Sequence, residues 1–252
     1  MPLARELAYA LDAVLMARAI GIEPDAWQAE VLRSDASRTL LNCCRQSGKS
    51  STAGIVATHT ALYQPGSLSI LLSPSLRQSQ ELFRKCLDVY RALDRPVPAE
   101  SENRLSLELE NGSRIVSLPG KEATVRGFSG VALLLIDEAA RVPDELYRSV
   151  RPMLAVSHGR LIALSTPFGK RGWWFEEWEN GGDRWQRVKI TADHCPRISA
   201  DFLDEERRSL GALFYRSEYE CQFVDTIDAV FSSADVLAAL TPNVTPLFGS
   251  AA

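Results

Sequence analysis

The chain has 252 residues, of which 46% are hydrophobic and 24% charged, and its formal net charge is −4. This length and composition suit one sizeable soluble α/β domain, or a domain plus a small appendage, and no apolar run is long enough to span a membrane. The slightly acidic balance argues against a monomer that coats DNA regardless of sequence. Because the five cysteines include no Cys-x-x-Cys pair, we expect neither disulfides nor zinc, and a reducing cytoplasm fits best.

In chain order, the apolar pattern predicts two leading helices, at about 2–19 and 25–34, and then a buried strand in RTLLNCC. A loop ending in Gly-Lys-Ser opens the next helix, which we expect to run to about Leu62. SLSILLS predicts a second buried strand and SLRQSQELFRKCLDVYRAL an amphipathic helix. RLSLELENGSRIVSL predicts a hairpin that turns at Asn111-Gly112.

The second half predicts further apolar strands in VALLLIDEA, GRLIALSTP and WQRVKIT. Continuous apolar strands that alternate with helices indicate a mostly parallel sheet with helices on both faces. After Thr191, the segment SADFLDEERRSLGALFYRSEYECQF is charged and helical, with Ser199 and Asp201 near its N-cap. We therefore expect a core at 1–191, a small helical lid or linker subdomain at 192–240, and a tail at 241–252.

Three polar clusters follow strands of the predicted sheet: residues 47–50, Asp137-Glu138 and Ser165-Thr166. In parallel α/β sheets, ligands bind beyond the carboxyl ends of the strands. We therefore expect the three clusters to lie together at one edge of the sheet and to form a single site.

The segment LLNCCRQSGKS, residues 40–50, ends like a phosphate-binding loop but has Cys43 where such a loop usually opens with glycine. Phosphate is bound by backbone N–H groups at the start of the following helix, and Gly48 lets the backbone approach closely. Lys49 brings positive charge to the outer phosphates, and Ser50 offers its hydroxyl to Mg²⁺. Cys43 removes none of these groups. Because the loop lies after an apolar strand and before a helix, a nucleotide site is favoured over an accidental helix-start loop.

Asp137-Glu138 follows five apolar residues, 132–136, at the end of a predicted strand. Asp137 is predicted to hold Mg²⁺ through water, and Glu138 to orient or deprotonate the attacking water. A solvated pair of loop carboxylates is the alternative, but the preceding phosphate loop favours the catalytic interpretation.

CCRQSGKS, LLLIDEAARV and ALSTPFGKRGWWFEEW together resemble the ATPase domain of phage terminase large subunits, the motors that package DNA into proheads. The resemblance covers roughly residues 20–235 and implies a P-loop NTPase (ASCE-like) fold with ATP and Mg²⁺ as cofactors. Members of this family commonly have an Arg-Gln-containing phosphate loop without the leading glycine, which accounts for Cys43.

The resemblance also implies roles for individual residues. Gln28, in PDAWQAEVL, matches the glutamine that reads adenine, although an exposed helix residue is the alternative. Arg126, in TVRGFSG, matches the finger that acts across a subunit interface, although a surface salt bridge competes with this role. Arg45 would contact the γ-phosphate or pair with a carboxylate, and Ser165-Thr166-Pro167 would be the coupling motif that senses hydrolysis. The expected ATP-binding residues are Gln28, Cys44, Arg45, Gln46, Ser47, Gly48, Lys49, Ser50 and Ser51.

Moving DNA requires contacts with its phosphate backbone that ignore sequence. Candidates are Arg77, Arg84 and Lys85 on the helix after the second strand, and Lys170-Arg171 after the coupling motif. A solvated helix face is the alternative for each arginine. Trp173 and Trp174 are more typical of core or interface packing than of stacking on DNA.

The implied function is an ATP-hydrolysing motor domain that drives double-stranded DNA into a prohead in the host cytoplasm. Its implied partners are other copies in a homo-oligomeric ring, the portal and the small terminase subunit, with no membrane. Asp225 and Asp228 near the end do not make a two-metal nuclease site, so we expect no DNA cleavage. A helicase-like translocase and a nucleotide-gated assembly module without turnover are the alternatives, and Glu138 argues against the second.

Overall fold

The computed structural model describes residues 3–120, 127–225 and 238–240. The strands of this part are β1 (Arg38–Cys43), β2 (Leu68–Ser73), β3 (Ala99–Glu102), β4 (Ser106–Leu109), β5 (Arg114–Pro119), β6 (Leu133–Asp137), β7 (Arg160–Ser165) and β8 (Gln186–Ile190). They form one sheet in the order β3-β4-β5-β2-β6-β7-β1-β8. The pairing is parallel from β5 to β8 and antiparallel where β4 meets β3 and β5.

The helices are α1 (Leu3–Leu11), α2 (Ala13–Ala19), α3 (Ala26–Arg33), α4 (Lys49–Tyr63), α5 (Leu76–Ala92), α6 (Asp144–Val150), α7 (Gly172–Asn180), α8 (Ala200–Leu210) and α9 (Ala212–Glu218). Short 3₁₀ turns occur at Ala139–Arg141, Arg151–Leu154 and Ala192–His194. In the described part of the chain, none of the helices has both the length and the apolar character needed to cross a membrane.

Helices cover both faces of the sheet, and alternate residues of the central strands point to opposite sides. On β6, Leu135 lies in an apolar cluster with residues of α2, α3, α4, α5 and α9. Its neighbour Ile136 lies in a second cluster with α6 and α7, which includes the fully buried Trp174. Burial on both faces is the reason that these strands appear in the sequence as continuous apolar runs.

The mostly parallel, helix-covered sheet and the strands expected in it are confirmed, but some details differ. The single leading helix predicted at 2–19 is wrong, because Asp12 interrupts it. The Asp12 side chain accepts a hydrogen bond from the backbone N–H of Val14 (2.9 Å) and caps α2. The helical segment after Thr191 breaks at Gly211, whose φ of 74° separates α8 from α9. β3, α6 and α7 were not predicted, because their short segments have no clear period.

The sheet order places the polar clusters beside one another. β6, β7 and β1 are neighbours, with Asp137 paired to Leu164 and Asn42 paired to Ser165. Since these three strands run in parallel, their carboxyl ends meet at one edge of the sheet. The loop after β1, the carboxylates after β6 and the motif after β7 therefore share that edge.

The close approach of β6 and β7 generates a stability prediction at Gly159, directly before β7. A Cβ atom there would lie 2.0 Å from the Val131 carbonyl oxygen and 2.9 Å from that of Ala132. We expect Gly159→Ala to lower the free energy of unfolding by about 1–3 kcal/mol, because backbone must move to admit the methyl group. Urea denaturation monitored by circular dichroism measures the change, and a midpoint equal to that of the wild type would contradict it.

Candidate nucleotide-binding site

The phosphate loop, residues 44–48, leaves the end of β1 and enters α4 at Lys49. Gly48 occupies the N-cap position with a φ of 93°, which favours glycine, and a Cβ there would lie only 2.7 Å from Nε2 of Gln28. Gln46 also has a positive φ, of 60°. The first N–H groups of α4 have no partners within the helix and are available to an anion.

Neighbouring segments hold the loop through hydrogen bonds. The N–H of Cys44 donates to the last carbonyl of β8 (2.9 Å), and the N–H of Arg45 donates to the Glu218 carbonyl (3.2 Å). The Ser47 hydroxyl donates to the Cys44 carbonyl (2.9 Å), and Arg197 donates to the Ser47 carbonyl (2.8 Å). β8 and the helical segment thus support a loop that has no leading glycine.

An open cavity of about 450 Å³ lies over the loop. Residues of the loop, of α4, of α5 and of the segment after β6 line it: Arg45, Gln46, Gly48, Lys49, Ser50, Ser51, Lys85 and Glu138. Lys49 and Glu138, which belong to different sequence motifs, therefore face one shared space. A ligand in this space can meet both a positive charge and a carboxylate.

Asp137 ends β6 beside this cavity and is 7% exposed. Its Oδ1 accepts a hydrogen bond from the N–H of Glu138 at 3.0 Å. Burial, together with the charge of Glu138, raises the pKa of Asp137 to about 6, although Lys49 and the Ser50 hydroxyl act in the opposite direction. The contact of Ser50 with Asp137 brings together two oxygen donors of the kind that Mg²⁺ prefers.

Glu138 adopts a left-handed backbone conformation (φ 49°, ψ 42°), which is strained for a residue with a side chain. Its Oε2 accepts a hydrogen bond from Nη1 of Arg141 at 3.0 Å. Nη2 of Arg141 lies 4.0 Å from Oε1 of Glu218, and Oε2 of Glu218 lies 2.6 Å from Nε of Arg45. A row of alternating charges thus joins Glu138 to the phosphate loop.

The sequence-predicted coupling motif lies between these elements. The Ser165 hydroxyl accepts a hydrogen bond from the N–H of Ala140 at 3.2 Å, within the turn that follows β6. The Pro167 carbonyl accepts one from the Ser217 hydroxyl of α9 at 3.0 Å. Thr166 is 2% exposed and does not line the cavity. The motif thus contacts both the turn after Glu138 and the helical segment.

Gln28 lies beside the phosphate loop with its amide engaged at both ends. Its Oε1 accepts from the N–H of Asp25 (2.8 Å), and its Nε2 donates to Oγ1 of Thr52 (3.1 Å). The side chain is 7% exposed, so the alternative of an exposed helix residue is wrong. The contact with adenine stays a prediction, as does the finger role of Arg126, which lies outside the described residues.

Most sequence-predicted DNA contacts lie on the surface and away from the cavity. Arg77 and Arg84 are exposed on α5, and Arg84 forms an ion pair with Glu81. Lys170 forms an ion pair with Asp225 at 3.3 Å. The Arg171 guanidinium lies over the ring of Phe168, 4.7 Å from the ring centroid. Asp228 lies outside the described residues.

Lys85 differs from the other DNA candidates because it lines the phosphate cavity. It also lines a second cavity of about 200 Å³, together with Ile20, Ile22, Ser51, Asp88, Val89 and Ala92. The Lys85 backbone packs closely against α4. A Cβ atom added to Gly54 of that helix would lie 3.1 Å from the carbonyl carbon of Lys85. Within the described residues, its ammonium group forms no ion pair.

The two tryptophans after the coupling motif are buried, which confirms the packing interpretation. Trp173 is 6% and Trp174 1% exposed. The Trp173 indole donates to the Val142 carbonyl (2.9 Å) and stacks on the Tyr147 ring, with centroids 3.8 Å apart. All five cysteines are free and buried, and the described part of the chain contains no cluster of His, Cys, Asp or Glu suited to a metal ion.

Sequence reasoning missed the contributions of Arg141, Arg197 and Glu218. Arg141 lies three residues after Glu138, a spacing that brings side chains together in a helical turn, so the sequence contained a sign of it. Glu218 and Arg197 contact the phosphate loop from distant parts of the chain, and no local pattern indicates them.

A family model described as terminase large subunit, T4-like-virus type, N-terminal, matches residues 40–237. The terminase large subunit of Thermus virus P23-45 is 28% identical in an alignment that covers 88% of this chain and 53% of that protein. The large terminase ATPase domain of Thermus phage P74-26 is similar in structure (TM-score 0.73, 24% identity, 82% of this chain and 97% of that chain). The large terminase of the thermophilic bacteriophage D6E, solved with ADP, matches with a TM-score of 0.62 at 14% identity. The match covers 83% of this chain and 52% of that chain.

The sheet order and the loop between β1 and α4 define a P-loop nucleoside triphosphatase fold. Because the family model covers most of the sequence, the chain belongs to the terminase large subunit family, in its N-terminal part. The chain spans about half the length of the curated relatives that it matches.

The buried carboxylate of Asp137 generates a prediction for the metal-free, nucleotide-free protein. Its pKa is raised from an ordinary value of 3.8 to about 6, so the folded state binds the proton more strongly than the unfolded state. The corresponding stabilisation is present below about pH 4 and is lost as the pH rises through about 6. Over this pH range the free energy of unfolding falls by about 3 kcal/mol in total.

We therefore expect Asp137→Asn to be more stable than the wild type at pH 7 and similar to it near pH 4. Urea denaturation at both pH values measures the difference in unfolding free energy. A difference of equal size at the two pH values would show that ionisation of Asp137 is not its cause.

Proposed function

We propose that this chain is the ATP-hydrolysing motor domain of a phage terminase large subunit, which drives double-stranded DNA into a prohead. The observation that supports the proposal most is the shared cavity, where Lys49, Glu138 and the N-terminus of α4 meet beside Asp137. Family membership supports the packaging role, and the similar large terminase solved with ADP supports nucleotide binding.

The chain's own groups have distinct roles in this proposal. The N–H groups of the loop and Lys49 bind the phosphates, while Ser50 and Asp137 would hold Mg²⁺, which neutralises charge on the phosphates. Gln28 contacts adenine. Glu138 takes a proton from the attacking water, because its side chain reaches the cavity from the end of β6.

A complete site would need a neighbouring copy of the chain. We propose that Arg126 of one subunit stabilises the transferring phosphoryl group in the site of the next, as arginine fingers do. The proposed partners are thus other copies of the chain in a ring. From family membership we also propose double-stranded DNA, the portal and the small terminase subunit. Ser165-Thr166-Pro167 would pass the change after hydrolysis to α9, since it contacts both the Glu138 turn and that helix.

A nucleotide-gated assembly module without turnover is a second candidate function. It requires that the cavity bind ATP while Glu138 has no chemical role. The position of Glu138 in the cavity favours hydrolysis, because a site for binding alone has no need of a strained residue that presents a carboxylate there.

Glu138→Gln tests hydrolysis directly. The amide keeps the shape of the side chain but cannot accept the proton, so we expect phosphate release to fall at least about a hundredfold. ATP affinity should change little. Phosphate release is measured against protein concentration, with and without DNA, since a site completed by a neighbour should gain activity per chain as concentration rises.

Arg91→Ala is the control, because Arg91 lies at the far end of α5 in an ion pair with Glu102. Equal phosphate release by wild type and Glu138→Gln, with ATP bound by both, would favour the assembly module. Separation of strands on a forked substrate by the isolated chain would favour a helicase-like translocase.

Lys85 is assigned to the nucleotide in this proposal, in place of DNA. It lines the phosphate cavity near Ser51 and has no competing ion pair among the described residues. It also borders the second cavity, which Ser51 lines as well. In this proposal its ammonium group contacts the phosphates that ATP and ADP share.

We expect Lys85→Ala to weaken ATP and ADP binding by a similar factor of about ten, the scale of one charged hydrogen bond, and to leave kcat within about twofold. Titration calorimetry measures both affinities, with Arg91→Ala on the same helix as the control. Unchanged nucleotide affinity, combined with weaker DNA binding, would return Lys85 to the DNA surface.

A further inference from the structure

Within the part of the chain that the structure describes, one of the two carboxylate oxygens of Glu138 accepts a hydrogen bond. Oε2 accepts the hydrogen bond from Nη1 of Arg141 at 3.0 Å. Oε1 accepts no hydrogen bond from the residues that the structure describes. A general base needs this arrangement, because one oxygen must be free to receive a proton while the carboxylate keeps a fixed orientation.

Arg141 is itself restrained from several directions. Its backbone N–H donates to the Glu138 carbonyl at 2.8 Å, which closes the turn between them. Its guanidinium lies over the Phe168 ring, 4.7 Å from the centroid, and Phe168 directly follows the coupling motif. The Arg141 side chain is 32% exposed, so solvent screens these contacts only in part.

Glu218 provides a second carboxylate near the same guanidinium. Its Oε1 lies 4.0 Å from Nη2 of Arg141, while its Oε2 holds Arg45 of the phosphate loop. The Glu218 side chain is 10% exposed, so α9 fixes it at the edge of the site. Arg141 thus lies between two carboxylates, one in the cavity and one at the end of α9.

We propose that Arg141 is a positioning residue, which holds Glu138 in the orientation needed for hydrolysis, and that Glu218 acts on Glu138 through Arg141. This inference rests on the proposed ATP hydrolysis. Through Glu218 and Arg141, the position of α9 would alter the rate of hydrolysis although α9 itself does not contact the substrate.

In the proposed reaction, the charge of Glu138 changes when it accepts a proton from water. The water oxygen attacks the γ-phosphorus, one water proton moves to Oε1 of Glu138, and the bond from phosphorus to the ADP oxygen breaks with its electron pair on ADP. Protonation removes the charge of Glu138. Arg141 then loses its attraction to the Glu138 charge while its attraction to Glu218 remains, so the balance of forces on the Arg141 side chain shifts towards the end of α9.

The test compares Arg141→Ala, Arg141→Lys and the control Arg148→Ala in steady-state hydrolysis at one protein concentration. Arg148 is exposed on α6. None of the ion pairs among the described residues joins it to Arg45, Glu138, Arg141 or Glu218. We expect Arg141→Ala to lower kcat at least tenfold, with KM for ATP and the affinity for ADP within twofold of the wild type. Lysine should restore part of kcat, because it keeps the charge but not the second N–H group.

Glu218→Gln completes the experiment as a double-mutant cycle. If Glu218 acts through Arg141, the double variant should lose less kcat than the product of the two single losses. Independent, multiplicative losses would overturn the role of Glu218. ADP affinity and thermal melting show that each variant is folded.

An Arg141→Ala variant that behaves like Arg148→Ala, or whose loss falls entirely in KM, would overturn the positioning role while the proposed function stands. An unfolded Arg141→Ala variant leaves the decision to Arg141→Lys, whose kcat must then lie below that of the wild type. A wild-type chain that releases no phosphate at any concentration would overturn both proposals.

Discussion

Three neighbouring parallel strands, β6, β7 and β1, end at the same edge of the sheet, and the candidate site depends on this alignment. Parallel pairing sets the register, so that Asp137 lies opposite Leu164 and Ser165 opposite Asn42. Apolar side chains cover both faces of these strands, which leaves little freedom for any of them to slide. The loop, the carboxylates and the motif after β7 are thus positioned by the core rather than by contacts with one another.

The same packing makes the site electrostatically costly. Asp137 is buried deeply enough that its pKa rises to about 6, and the neighbouring Glu138 adds to the effect. Glu138 also has a strained backbone conformation. These features cost free energy of folding, and a bound cation and phosphate chain would compensate for the buried charge. A pattern of this kind is characteristic of functional sites.

Charged residues outside the motifs decide how the site is connected to the rest of the molecule. Glu218 holds Arg45 with a 2.6 Å contact and lies near Arg141, so the end of α9 contacts both the phosphate loop and the residue that holds Glu138. The Ser217 hydroxyl, one residue earlier, binds the Pro167 carbonyl. These contacts connect the helical segment to the sheet edge beside the cavity.

The sequence by itself determined the strand types, the loop that enters α4 and the two carboxylates after β6, because burial and turn geometry depend on local periodicity and on short spacings. It also indicated that Arg45 would meet a phosphate or a carboxylate. Only the tertiary structure showed that Glu218 is that carboxylate, that Lys85 faces the phosphate cavity and that Asp12 divides the leading helix. Long-range pairing depends on how helices dock on the sheet, and a helix pattern does not show which neighbour each exposed charge will meet.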